Sequence, residues 1–191
     1  MRIILASQSP RKRELMSVLG VDFEVLVSDL EEEWNENLSI EENSKEIAYQ
    51  KAKDVYNNTQ GDRLIISADT IVVKDGEIFG KPKTREEAID MIRKLQGGKH
   101  TVYTSLVEIS ENRDKYFEKK EIYPTEIYVK KMDDYEILKY VDSYNVYDKA
   151  GAYAIQSPFA MYIEKMVGDY YSVVGLPINR VYDILKQKEL L

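Results

Sequence analysis

The ten residues LIISADTIVV, Leu64 to Val73, constrain the fold more than any other stretch of this chain. All but Ser67, Asp69 and Thr70 are apolar and most are β-branched, so the run reads as a buried strand, or a strand pair, with no consistently polar face to turn to water. Such a strand needs cover, and the covering helices are legible. Ser39 with Glu42 three positions on forms a capping box for a helix from Ile40 to about Tyr56. Thr84 with Glu87 repeats the pattern for a helix that carries Ala88, Met91, Ile92 and Leu95 on one face and closes at Gly97-Gly98. Ser9 and Pro10, followed by Leu15, Met16 and Leu19 and then Gly20, read as a third helix with an N-cap serine and a proline at its first position.

Further strands are predicted at Arg2 to Ala6, Phe23 to Val27, near His100 to Ile109, Lys119 to Lys130, through Tyr153 and Ile155, and in MYIEKM. Asp75-Gly76 marks a hairpin before EIFG, and helices are predicted over about Asp133 to Val141 and after Pro177. Strands alternate with helices but hairpins also occur. The pattern predicts an α/β (mixed α+β) architecture, a mixed sheet flanked by helices. No repeat and no Pro-, Gly- or Ser-rich linker interrupts it, so residues 1–191 read as a single domain.

Composition removes several chemistries. There is no cysteine, which excludes disulfides, thiolate nucleophiles and thiolate-bound zinc. The single histidine, His100, excludes multi-histidine metal sites. An enzyme built from this chain relies on carboxylates, lysines, arginines and a hard metal ion. The net charge of -7 argues against broad binding to nucleic acid. No apolar run approaches the ~18 residues of a membrane span, and the first residues enter a strand without a signal-peptide pattern. A cytoplasmic protein is expected, with no membrane partner.

Several polar residues occupy places that folding alone does not favour. Asp69 interrupts the apolar run; a backbone-bonded carboxylate at a strand end is the ordinary explanation, and a carboxylate presented to a cleft is the functional one. Lys51 lies inside the apolar stripe Ile47, Ala48, Ala52, Val55, either snorkelling at the core edge or aimed at an anion. Lys81 sits between Gly80 and Pro82 after the hairpin, where a surface lysine is unremarkable by itself. Glu31, Glu32 and Glu33 form an acidic run of the kind that usually faces solvent. Arg11, Lys12 and Arg13 fill the first turn of the Pro10 helix, where the helix dipole disfavours each cation by about 0.3 to 1 kcal/mol. A helix N-terminus flanked by cations, with carboxylates elsewhere, suits a polyphosphate and a divalent metal. Neither GxxxxGK[ST] nor GxGxxG is present.

The blocks LASQSPRKREL at Leu5 to Leu15, Glu31-Glu32 after VSD, YQKAK around Lys51, SADTIV around Asp69, GKP at Lys81, HTVYTS from His100, DKAGAYAIQ from Asp148 to Gln156 and GDYYSVVGLP from Gly168 to Pro177 resemble, in order and over nearly the whole chain, the Maf family of nucleoside triphosphate pyrophosphatases. The resemblance implies an elongated mixed sheet in two lobes with a cleft, related to inosine triphosphate pyrophosphatases. It implies hydrolysis of a nucleoside triphosphate between the α and β phosphates. Asp69 matches the proton acceptor; Lys51, Lys81 and Glu32 complete the implied catalytic set. Ser7, Arg11, Lys51 and Lys81 match phosphate-site positions, with Lys12 beside them in the substrate-binding set; Gln156, Arg11 and Thr70 match positions tied to base choice, and Glu32 with Asp69 the ligands of Mg²⁺ or Mn²⁺. A homodimer is also implied.

Gln156 resembles the branch acting on dTTP and UTP, where the branch preferring 7-methyl-GTP has a glutamate. An amide offers both a donor and an acceptor to a neutral pyrimidine. The alternatives are a purine-preferring pyrophosphatase and a nucleotide-binding regulator of septum formation without turnover. Four positions depart from the family pattern: Lys12 replaces a second arginine, Glu31 an aspartate, and Ser105 and Ser157 stand where glycines are common.

Overall fold

A computed structural model describes residues 1–191. In chain order its elements are β1 (Arg2–Leu5), α1 (Pro10–Ser17), β2 (Glu24–Val25), α2 (Ile40–Asn57), β3 (Arg63–Lys74), β4 (Glu77–Phe79), α3 (Arg85–Leu95), β5 (Lys99–Asn112), β6 (Lys115–Val129), α4 (Asp134–Ser143), β7 (Ile163–Val167), α5 (Tyr170–Val174) and α6 (Ile178–Gln187), with 3-10 turns at Ala150–Ala152 and Pro158–Tyr162. The seven strands form one mixed sheet in the order β2-β1-β3-β5-β6-β7, with β4 paired to β3. β1 runs parallel to β2 and to β3, whereas β3 and β4, and β6 and β7, are antiparallel. The expected mixed α/β sheet with flanking helices is what forms.

The chain divides into two compact units, one of Met1–Asp69, Thr104–Tyr123 and Gly175–Leu191, the other of Thr70–Tyr103 and Pro124–Val174. In the first, the capping box of Ser39 and Glu42 starts α2, and Ala48, Ala52 and Val55 pack on Ile4, Ala6, Ile65, Val107 and Ile109. Each large aliphatic side chain buried there stabilises by roughly 1.5 to 3 kcal/mol. In the second unit, Ala88, Ile89, Ile92 and Leu95 of α3 and Ile137, Tyr140 and Val141 of α4 share a core with Val72, Val102, Ile127, Val129 and Phe159.

Several elements differ from expectation for local reasons. LIISADTIVV is one strand within Arg63–Lys74 rather than two. The segment Phe23 to Val27 contributes only Glu24–Val25, because its partner β1 pairs through Ile4 and Leu5 alone. No strand forms through Tyr153 and Ile155, since Gly151 (φ 68°) and Ala152 (φ 59°) turn the backbone out of the extended region just before it. β6 begins at Lys115, joined to β5 by a tight turn with positive φ at Arg113 and Asp114. Ser9 and Thr84 stand at the N-caps. The Ser9 side chain caps nothing, and Glu87 bonds the Lys83 amide (2.5 Å) instead of closing the box on Thr84.

Candidate active site

In the first unit, β2, β1 and β3 lie side by side and parallel, with Leu5 opposite Val25 on one side and Ile66 on the other. Their carboxyl ends therefore point the same way. Beyond β1 come Ser7 and the first turn of α1, beyond β2 the segment with Glu31 to Glu33, and beyond Ile66 in β3 comes Asp69. Open parallel sheets bind ligands outside these ends, where loops and helix N-termini gather.

Lys51 of α2 joins two of these groups. Its Nζ lies 2.6 Å from Glu32 Oε1 and 3.1 Å from Asp69 Oδ1. The Lys51 and Asp69 side chains are 23% and 14% exposed, so the contact is partly shielded from water, while Glu32 is 57% exposed. Burial by itself lowers the affinity of Lys51 for its proton. The charge of Asp69 and the hydrogen bond and charge of Glu32 outweigh it, and the pKa is raised above the ordinary lysine value. Lys51 is a permanent cation between two carboxylates.

The acidic segment is fastened to α2 by Asn43, which is 1% exposed. Its Nδ2 donates to the carbonyls of Asn35, Ser39 and Leu38, and its Oδ1 accepts from the Asn35 amide at 2.9 Å. Glu32 is thus tethered three residues from an anchored point. Asn43 is visible in the sequence only as a poor helix former standing four residues before Ile47 on the buried stripe.

At α1 no acidic residue occupies the first turn and no side chain caps it. Ser7 Oγ accepts from the Ser9 amide at 3.2 Å, and Arg11 and Lys12 in the first turn are half-buried. Ser44 Oγ and Ser105 Oγ share a buried hydrogen bond of 2.8 Å. The hydroxyl at this family-glycine position is thereby satisfied.

The second unit holds Thr70, Lys81, Gln156 and His100. Thr70 is half-buried in β3; Lys81 and Gln156 are exposed. The loop bearing Lys81 is tied to the turn that leads to Gln156, because Gly80 O accepts from the Gly151 amide at 3.0 Å. Ser157, next to Gln156, is buried, its Oγ donating to Ala154 O at 2.7 Å and lying 3.2 Å from Tyr140 OH. His100 is structural here, 2% exposed with Nε2 2.6 Å from Tyr153 OH. Contacts thus join Glu32, Lys51 and Asp69 directly; Ser7 lies two residues past β1, and Arg11 and Lys12 lie in the first turn of α1.

A family profile for Maf-like proteins matches residues 2–188. The chain belongs to the Maf family. Among its Maf relatives, a protein of Thermoanaerobacter sp. (strain X514) named dTTP/UTP pyrophosphatase is 45% identical over 188 residues, covering 98% of this chain and 97% of that one. Another of the same name from Caldanaerobacter subterraneus subsp. tengcongensis is 42% identical over 191 residues, covering 98% and 89%. Among solved structures, a HAM1 protein from Coxiella burnetii is similar with a TM-score of 0.46 at 15% identity, covering 98% of this Maf chain and 99% of that one.

The two carboxylates suit a hard divalent cation. Glu32 and Asp69 already share one positive charge, that of Lys51, and oxygen donors of this kind hold Mg²⁺ or Mn²⁺ together with substrate phosphates and water. No third carboxylate or imidazole clusters with them.

Proposed function

We propose that this Maf protein hydrolyses dTTP and UTP, and modified pyrimidine triphosphates of similar shape, to the monophosphate and pyrophosphate. The observation that carries the reading is the Glu32–Lys51–Asp69 ion pairing, with Asp69 on β3, Lys51 on α2 and Glu32 on the segment that follows β2. Relatives at 42 and 45% identity bear the name dTTP/UTP pyrophosphatase, which supports the same choice. Residues 1–191 act as one Maf domain in this reading, and as a homodimer.

Asp69 accepts a proton from water as the water oxygen bonds to phosphorus. The bond between that phosphorus and the bridging α–β oxygen breaks, and pyrophosphate leaves. Lys51 and Lys81 offset the charge that builds on the leaving group. Ser7, Arg11, Lys12 and the N-terminus of α1 hold the phosphates. The cations in that first turn, unfavourable for the empty helix, become favourable against a triphosphate. Glu32 and Asp69 would hold Mg²⁺ or Mn²⁺, which would lower the pKa of water and polarise the phosphoryl oxygens. Gln156 and Thr70 read the pyrimidine.

Asp69→Asn tests the reading. It is expected to abolish pyrophosphate release from dTTP while triphosphate binding, followed by calorimetry, is retained or tightened. Turnover near the wild-type rate overturns the assignment. Binding by the wild type without turnover of any nucleotide favours the regulator instead.

A further inference from the structure

His100 and the block around it take no part in the reaction proposed above, yet this one histidine is buried at a cost. Its Nδ1 is enclosed and meets no hydrogen-bond partner, so burial strips it of water without replacing the lost bond. An aromatic hydrocarbon would fill the same space without that loss. What the imidazole adds is one directional bond, Nε2 to Tyr153 OH at 2.6 Å, made edge-on with ring centroids 5.3 Å apart.

Tyr153 begins the turn that ends in Gln156. It is 5% exposed and its ring packs on Phe159 at 4.6 Å between centroids. Upstream, Gly151 is held by its amide bond to Gly80 O and by the crowding of Leu95 and Val72 around its Cα. Downstream, Ser157 Oγ donates to Ala154 O, accepts from the Phe159 amide at 3.2 Å and contacts Tyr140 OH. Between these fixed points Ala154 and Ile155 are half-buried and only Gln156 is exposed among residues 151–157. A single outward amide on a turn fastened at both ends is how a protein presents one polar group in one direction.

We propose that His100 is a positioning residue for nucleobase choice: through Tyr153 it fixes the turn 153–157 and so aims the Gln156 amide, without itself touching the nucleotide. This rests on the reading of Gln156 as the base-recognising residue. A glutamine side chain at position 100 reaches where Nε2 lies and keeps a partner for Tyr153; an asparagine is too short to do so.

The test measures kcat and KM for dTTP, UTP and CTP in wild type, His100→Asn, His100→Gln, Tyr153→Phe, Gln156→Ala and the double variant His100→Asn/Gln156→Ala. His100→Asn is expected to reduce the dTTP-over-CTP preference in kcat/KM about tenfold, the weight of one hydrogen bond, mainly through KM for dTTP. His100→Gln restores most of it. In the Gln156→Ala background, His100→Asn changes the preference no further. If His100→Asn does not fold, Tyr153→Phe, which removes one hydroxyl, carries the same expectation. A preference unchanged in His100→Asn or Tyr153→Phe, while Gln156→Ala loses it, overturns the positioning role alone. Equal losses on all three nucleotides overturn it in favour of a purely structural histidine. A preference unchanged in Gln156→Ala overturns the Gln156 reading, and the positioning role with it.

Discussion

Lowering the pH across the range where histidine ordinarily titrates should destabilise this protein through one residue. Burial, aided by the positive charge of Lys74, pulls the His100 pKa down from 6.5 to about 4, and the facing Tyr153 hydroxyl is its bonded neighbour. The unfolded chain therefore takes up a proton below pH 6.5 that the folded chain refuses. Stability linked to His100 is complete above pH 6.5 and declines as pH falls towards 4. Relative to pH 8, the loss from this group is about 2 kcal/mol at pH 5 and levels off near 3 kcal/mol below pH 4. Carboxylates titrate in the lower part of the same window, so the informative quantity is the difference between wild type and His100→Gln. Urea unfolding at pH 8, 6.5 and 5 supplies it, followed by far-UV circular dichroism and by amide exchange in α3. Trp34 is a poor probe for this purpose because it lies in the other compact unit. Wild type should lose about 2 kcal/mol more than the variant between pH 8 and pH 5. Parallel pH profiles would refute the assignment of a buried, neutral imidazole.

Gly151→Ala should cost about 2 to 5 kcal/mol in urea unfolding, since φ is +68° and the new Cβ would stand 3.1 Å from Leu95 Cδ1 and 3.3 Å from Val72 Cγ1. An unaffected midpoint would show that the turn has another conformation. Lys81→Met removes an exposed cation; the unfolding free energy should change by less than about 0.5 kcal/mol, while kcat/KM for dTTP falls about 100-fold. Activity within twofold of wild type would exclude Lys81 from the phosphate site. Gln156→Glu should move the preference away from dTTP, read as relative kcat/KM over a nucleotide panel, and unchanged ratios would place base recognition elsewhere.

Much of the fold is written locally. The capping box of Ser39 and Glu42 and the stripe Ile47, Ala48, Ala52, Val55 predict α2, and the apolar run around Asp69 predicts β3. Lys51 and Asp69 were conspicuous as polar groups on apolar surfaces, and their ion pair explains both. Their convergence with Glu32 was not legible, because it follows from the parallel register of β2, β1 and β3 and from Asn43 holding a loop eight residues away in sequence. The alternation in AGAYAI imitates a strand, but the positive φ angles at Gly151 and Ala152 leave a bound turn instead. The Arg113-Asp114 hairpin lacks the usual Asn-Gly or Asp-Gly signal and was invisible for that reason. Ser105 and Ser157, departures from family glycines, each found a buried hydrogen bond that only tertiary contact supplies.

The most direct test is the product formed from each of dTTP, UTP, CTP, GTP, ATP and 7-methyl-GTP with Mg²⁺ or Mn²⁺, resolved by phosphorus NMR. Monophosphate and pyrophosphate are expected from dTTP and UTP, at rates well above those for the purine nucleotides, with loss of both products on adding chelator. Diphosphate and inorganic phosphate as products, or faster turnover of a purine nucleotide, would contradict this expectation.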